Sequence, residues 1–324
     1  MKEILIKKEF SNQRADKFVR KFLNDAPLSF IYKLFRKKDV KVNKHWIKQN
    51  YILQENDLLE IYVSDAQLLE FNNPKKIENI QVNLNIIYED KNILVVNKPT
   101  GILIHGDENE KRITLSNKVL SYLYNKHEFN PNEQGFIPGP VHRLDRNTSG
   151  VVIFAKNIIA SQLLMEAFKN HEGIIKHYLA LVKGKINKSG EINAPLIKDA
   201  NTGLVKVDSI SQNAKTAITT YELIDYKDDL SLVDVLLVTG RTHQIRVHFA
   251  YINHPLVGDN KYGDFAFNKE FKKKYNFENQ FLHAYSLSFI NLKGELSYLN
   301  NKVFSAKLDE KKNEILSKIY SKFK

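Results

Sequence analysis

The residues His142-Arg143-Leu144-Asp145-Arg146-Asn147-Thr148-Ser149-Gly150 bring one carboxylate, two guanidinium groups, an imidazole and two hydroxyls into a single short stretch. The apolar run Val151-Val152-Ile153-Phe154-Ala155 follows directly and predicts a buried strand. Residues 142–149 therefore form the loop that feeds this strand, where a rigid scaffold can hold reactive side chains. If the loop is extended, Arg143 and Asp145 project to the same side. Positive charge on both flanks favours the anion of Asp145, and an ionised carboxylate is available as a nucleophile. The plainer alternative is an aspartate that pairs with an arginine or caps a turn.

Two further stretches carry groups that could assemble with it. Asn97-Lys98-Pro99-Thr100-Gly101 ends an apolar strand in a Pro/Gly turn. Thr239-Gly240-Arg241-Thr242-His243-Gln244-Ile245-Arg246 ends another strand and opens a helix bearing two arginines, which can hold a carboxylate or a phosphate. His243 and His248 read as helix-surface or packing residues. The chain has no cysteine, which excludes disulfides, thiolate catalysis and thiolate-ligated metals. Its 10 histidines contain no His-Glu-x-x-His pattern, and no glycine-rich loop is present to cradle a nucleotide. Neither a metal nor a nucleotide cofactor is expected.

These stretches need a scaffold, and the chain divides into two parts. Residues 1–63 hold 14 Lys and Arg against 8 Asp and Glu, so about half of the formal charge of +12 lies in a fifth of the length. Phe18, Val19, Phe22 and Leu23 recur at helical spacing, and residues 30–38 repeat the pattern, ending on Arg36, Lys37 and Lys38. Residues 40–43 and 58–63 alternate as strands. Residues 64–85 turn polar around Pro74 and read as a linker.

From residue 86 onward, strands at 86–90, 92–97, 150–156, 176–183, 214–224 and 230–238 outnumber helices. One helix spans residues 115–124 and another closes the chain from residue 309. Strands do not alternate regularly with helices, so a mixed, largely antiparallel α+β fold is expected rather than a doubly wound parallel sheet. The expected organisation is a small helix-helix-hairpin module at 1–65, a linker at 66–85 and a catalytic domain at 86–324. No run of about 18 apolar residues occurs, and charged residues fill the place where a signal peptide needs its apolar segment. A cytoplasmic location, with no membrane contact, is expected.

Residues 13–63 resemble the RNA-binding domain named after ribosomal protein S-four, in which two helices and a hairpin present basic side chains to RNA. That resemblance makes Arg14, Lys17, Lys33, Arg36, Lys37 and Lys38 candidate RNA contacts. Residues 86–290 resemble the RluA-type pseudouridine synthases. His142-Arg143-Leu144-Asp145 followed by Thr148-Ser149-Gly150 carries the likeness, with the other two stretches in the family's order. Together with the N-terminal module, the resemblance is closest to RluC-like members acting on the 23S RNA of the large ribosomal subunit.

The resemblance implies Asp145 as nucleophile, Arg246 as its ion-pair partner, and Tyr178 as the tyrosine that stacks on the base or removes the proton from carbon 5. It implies Arg143 as the side chain that fills the gap when the uridine swings out, with Arg241, His142 and Lys98 beside it among RNA-contacting groups. The plain alternative for Tyr178 is a strand aromatic. The implied reaction breaks the bond from ribose to ring nitrogen, turns the uracil and rejoins it through carbon 5, without cofactor. Asp145 attacks either carbon 6 or the anomeric carbon; both stay open. The nucleotide must be flipped into a closed pocket, away from water that would leave an abasic site.

Structured RNA is the expected partner, and the chain is expected to be a monomer. Two rival functions follow from the same residues. A non-catalytic RNA-binding protein would leave Asp145 dispensable. A carboxylate hydrolase of glycosidic bonds needs a second acid at fixed separation, and the sequence offers no convincing second carboxylate near the three stretches.

Overall fold

The computed structural model describes residues 1–323 apart from 73–81, 109, 111, 132–135, 172, 200 and 201. At the N-terminus the helices Ala15–Phe22 and Leu28–Arg36 bury Phe18, Val19, Phe22, Ile31 and Leu34 against Val40, Val42, Leu59 and Ile61. The latter belong to a four-stranded antiparallel sheet ordered Lys2–Leu5, Leu58–Ile61, Val40–Val42, His45–Trp46. The helices and the strands Val40–Val42 and Leu58–Ile61 lie where the periodicity predicts them, whereas the two-residue strand His45–Trp46 is not predicted. The first strand is invisible in the sequence, because only Ile4 of its four residues is buried and no alternation can develop.

A short helix, Asp65–Phe71, occupies the start of the segment that reads as a linker. Ser64 Oγ accepts the Gln67 N–H, and the Gln67 side chain accepts the Ser64 N–H, closing a capping box. None of its residues is fully buried, so no apolar period announces it. Leu68 and Phe71 pack against the N-terminal core. Pro74 lies outside the described residues.

The remaining chain is built around one sheet. Its path runs Ser189–Asn193, Ile218–Lys227, Leu230–Leu237, Ile174–Lys183, Leu282–Phe289, Ser149–Ala155, Ile93–Lys98, Ile86–Glu89. Every pairing on that path is antiparallel except the one between Leu282–Phe289 and Ser149–Ala155. The sheet is thus mixed and largely antiparallel, as the sequence predicts.

Val152 and Phe154 enter the core shared with the helices Leu115–Asn125 and Gln244–Tyr251. Val151, Ile153 and Ala155 enter the core on the other face, with the helix Ile158–Asn170. Burial on both faces is why this strand reads as an unbroken apolar run. The C-terminal helix Glu310–Ile319 and the helix Phe265–Tyr275 pack on Leu179 and Leu181 through Ile315, Leu316 and Phe271.

Two features of the central strands place the Asp145 loop. His283 interrupts the apolar pattern of Leu282–Phe289, yet is fully buried, because its ring bonds to Ser149 Oγ at 2.9 Å and to the Ala306 carbonyl at 3.0 Å. Gly150 has φ +121°, and a Cβ there would stand 2.1 Å from the Ala284 carbonyl oxygen. Only glycine lets the two parallel strands close where the loop enters the sheet. Among the described residues, no helix is long and apolar enough to cross a membrane.

Candidate active site

The first two stretches are tied together beneath the loop. The Gly101 N–H donates to the Arg146 carbonyl, and Arg146 Nε donates to the Gly101 carbonyl, both at 3.0 Å. The Thr148 N–H donates back to the Asp145 carbonyl at 3.1 Å, closing a turn. Lys98 lies fully buried under this turn. Its Nζ donates to the carbonyls of Pro99, Arg146 and Thr148 at 3.0, 2.8 and 2.7 Å. Burial, and then the charge of Lys312, lower its pKa to about 7.

The sequence puts Lys98 and His142 among RNA-facing groups, and their placement corrects this. Lys98 points inward because three loop carbonyls converge on its ammonium. His142 Nε2 accepts the Ile153 N–H at 3.2 Å, and its ring stacks on Phe168 at 4.6 Å. Burial pushes its pKa down to about 3, so the ring is neutral and fastens the loop to the strand.

The third stretch is shaped by Gln244. Its Oε1 accepts from Thr239 Oγ1 at 2.7 Å and from the Arg241 N–H at 3.0 Å; its Nε2 donates to the Ile218 carbonyl and to Thr219 Oγ1, both at 2.9 Å. His243 takes the left-handed conformation, φ 54°, and the helix begins only at Gln244. Arg246 then falls on the first turn and is buried. Its Nη1 donates to Asp145 Oδ2 at 2.8 Å, while Nε and Nη2 grip Asp259 at 2.7 and 2.9 Å.

Burial alone would lower the Arg246 pKa, but the bonds and charges of Asp259 and Asp145 carry it above the usual value. Burial alone would raise the fully buried Asp259 carboxyl, yet Arg246 and the N–H groups of Lys261 and Tyr262 draw it down. The Arg246 guanidinium also lies 5.1 Å from the Tyr262 ring centroid.

A pocket of about 100 Å³ opens over Asp145. Arg143, Tyr178, Arg241 and Arg246 line it with Asp145, so five of the expected residues meet there. Asp145 is the only acid among the lining residues, and its side chain keeps 26% exposure, so Arg246 orients it without sealing it. Arg143 is exposed at the rim and makes no hydrogen bond or ion pair with another described residue. Burial, and then the Asp145 charge, raise the Tyr178 phenol well above its usual value.

His243 also lines the pocket, its Nε2 at 3.9 Å from Asp145 Oδ1 and its Nδ1 at 2.8 Å from the Tyr262 hydroxyl. The left-handed turn before the helix, which the sequence does not announce, swings it there and corrects its assignment to surface or packing. His248 is a packing residue, held between Thr219 Oγ1 and the Ala194 carbonyl. Asp259 is the second carboxylate that the sequence does not reveal. It is spent on Arg246 rather than presented to the pocket, so the pair of acids a glycosidase requires is not displayed.

Among the described residues, no three His, Asp or Glu side chains converge to hold a metal ion. On the N-terminal part, Arg14 pairs with Asp16 at 2.8 Å, and Lys17, Lys33, Arg36, Lys37 and Lys38 are exposed. None of these lines the pocket.

A mixed sheet presenting one arginine-held carboxylate in a basic pocket defines an α+β enzyme of carboxylate chemistry. The RNA pseudouridylate synthase family matches residues 92–251. An uncharacterized RNA pseudouridine synthase of Mycoplasma capricolum is 36% identical over 310 residues, 94% of this chain and 96% of that one. Ribosomal large subunit pseudouridine synthase C of Pasteurella multocida is 34% identical over 322 residues, 98% of this chain and 93% of the relative. In fold, human RNA pseudouridylate synthase domain containing 4 is similar with TM-score 0.57 and 23% identity, over 72% of this chain and 92% of that one. The chain belongs to the RNA pseudouridine synthase family, and it isomerises uridine to pseudouridine in RNA.

Proposed function

We propose that the protein modifies uridines of 23S ribosomal RNA, with Asp145 as nucleophile and residues 1–65 as an RNA-gripping module of the S-four type. One observation carries the catalytic part: Arg246 holds Asp145 Oδ2 at 2.8 Å, while Oδ1 has His243 only at 3.9 Å and remains available to a bound base. Likeness over nearly the whole chain to proteins named for the large ribosomal subunit supports the substrate. The exposed Lys17, Lys33, Arg36, Lys37 and Lys38 support the module's part, since such side chains supply affinity independent of sequence.

A uridine swung out of the RNA stacks on Tyr178, and Arg143 enters the gap it leaves, together offsetting an unstacking cost of about a few kcal/mol. Asp145 attacks carbon 6 or the anomeric carbon, the bond from N1 to the anomeric carbon breaks, the uracil turns, carbon 5 bonds to the anomeric carbon, and the bond to Asp145 breaks to return the free carboxylate. Carbon 5 loses its proton and N1 gains one, so the isomerisation balances without oxidant or water. The raised pKa of Tyr178 makes its phenolate costly in the empty pocket, which suits stacking. Arg241 meets the phosphates beside the flipped nucleotide. The protein acts in the cytoplasm, as a monomer.

Transcripts of 23S, 16S and transfer RNA carrying tritium at uridine carbon 5 test this directly, because each isomerisation releases one label. Release from the 23S transcript alone is expected. Release confined to 16S or transfer RNA would reject the substrate, and release from none would reject the assignment of the pocket.

A further inference from the structure

We propose that Trp46 is a stacking platform for an unpaired base of the RNA, on the N-terminal module and apart from the catalytic pocket. The inference rests on that module's RNA-gripping part and adds a contact to it. Trp46 is the single tryptophan of the chain and is 52% exposed. A large aromatic in that position gives up burial that it would ordinarily have.

The hairpin that carries Trp46 is held firmly. Strands Val40–Val42 and His45–Trp46 join through Asn43 and Lys44, both left-handed at φ 50° and 69°. The Asn43 side chain donates to Asp57 Oδ1 at 3.0 Å and accepts the Leu58 N–H at 2.9 Å. The Lys44 N–H donates to Glu60 Oε2 at 2.9 Å. Of the acids nearby, Asp57 and Glu60 are buried and engaged by these bonds, and Asp39 is half-buried.

Trp46 stands opposite Lys41 in register, so the two side chains share a face of the sheet. Lys38 Nζ lies 4.9 Å from the indole centroid, and Lys41 Nζ lies 4.6 Å from the centroid of the half-exposed Tyr62 ring. Lys38 takes one side of the indole, and the ring's exposure leaves surface for a planar partner. Each ring stands beside an ammonium, so stacking for a base and charge for its phosphate are offered together. An intact duplex keeps its bases stacked on each other, so this surface selects unpaired nucleotides.

Because no other tryptophan exists, indole emission of the full chain reports on this position alone. A single-stranded RNA oligonucleotide is titrated in, with binding followed in parallel by anisotropy of a label on the RNA. Quenching should track binding, and a blunt duplex of the same sequence should bind with little quenching. Trp46→Ala should weaken single-strand binding about tenfold, and Trp46→Phe should restore most of it. Neither change should alter the circular dichroism spectrum.

RNA that saturates the protein without changing the emission, or a Trp46→Ala variant that binds as tightly as the parent, would overturn the platform. So would equal quenching by the duplex. The module's own part fails on a different result: replacing Lys33, Arg36 and Lys37 by Gln together would leave affinity and its salt dependence unchanged.

Discussion

Replacing Asp259 by asparagine asks whether Arg246 owes its position to a carboxylate outside the pocket. Two of the three bonds of the guanidinium end on Asp259, at 2.7 and 2.9 Å, and only one ends on Asp145. Asp259 Oδ1 also accepts the N–H groups of Lys261 and Tyr262 at 2.8 and 3.1 Å. Asparagine keeps the shape, but with its oxygen at the Oδ1 position it turns an NH2 group against Arg246 Nε, donor against donor. Removing one partner of a buried ion pair costs about 3–5 kcal/mol, and the surviving bond to Asp145 puts this case near about 3. For a chain of 324 residues, with an unfolding entropy of about 0.7 kcal/mol/K, that lowers Tm by about 4 °C.

Activity should fall with it, because a guanidinium displaced by about 1 Å no longer aims Asp145, and such misplacement costs about a hundredfold in kcat. Thermal unfolding and single-turnover isomerisation below both melting points measure the two effects. The Asp259 carboxyl is held below its unfolded value, so its stabilisation is present above about pH 4 and is lost as pH falls further. The Tm gap between parent and variant should therefore narrow in acid. A variant with the parent's Tm and kcat at neutral pH would refute the reasoning and leave Asp145 as the sole support of Arg246.

Gly150→Ala forces a Cβ to 2.1 Å from the Ala284 carbonyl in a left-handed backbone, and should cost about 3 kcal/mol or more; a Tm equal to the parent's would show that the strands can separate freely. His142 is neutral when folded and takes a proton when unfolded, so stability should fall as pH drops below about 6.5, by at most about 1.4 kcal/mol per unit. His142→Phe should flatten the decline of Tm between pH 6.5 and 5, and an unchanged slope would contradict its burial. Replacing Lys33, Arg36, Lys37 and Lys38 by Gln should raise KM, leave kcat alone and reduce the slope of log affinity against log salt by about 0.7–0.9 per lost phosphate contact; a fall in kcat with unchanged KM would count against a docking role.

How much of this was legible follows from the range of the contacts involved. The Asp145 loop is visible because polar residues stop abruptly at a five-residue apolar run, a contrast that local sequence carries in full. Arg246 is visible as an arginine at a helix start, although the left-handed His243 and the start at Gln244 are not. Asp259 is hidden because it reads as a turn residue, and its bond to Arg246 exists only in three dimensions. Lys98 misleads for a related reason, and the burial of Lys312 is equally unannounced. A lysine is ordinarily exposed, and these two are buried because Arg146, Thr148, Thr100 and Ser149 arrive from distant segments to accept their protons beside the local Pro99 carbonyl and Asp309 carboxylate. The central strand Leu282–Phe289 is masked by His283, whose burial depends on Ser149 and Ala306.

The proposed mechanism places isomerisation on the carboxylate of residue 145, and Asp145→Asn replaces that carboxylate while keeping the shape. With tritiated 23S transcript and a filter-binding assay run on the same preparation, the variant should bind RNA as the parent does and release no label above background. Label released by that variant at any rate proportional to its concentration would contradict nucleophilic attack from Asp145.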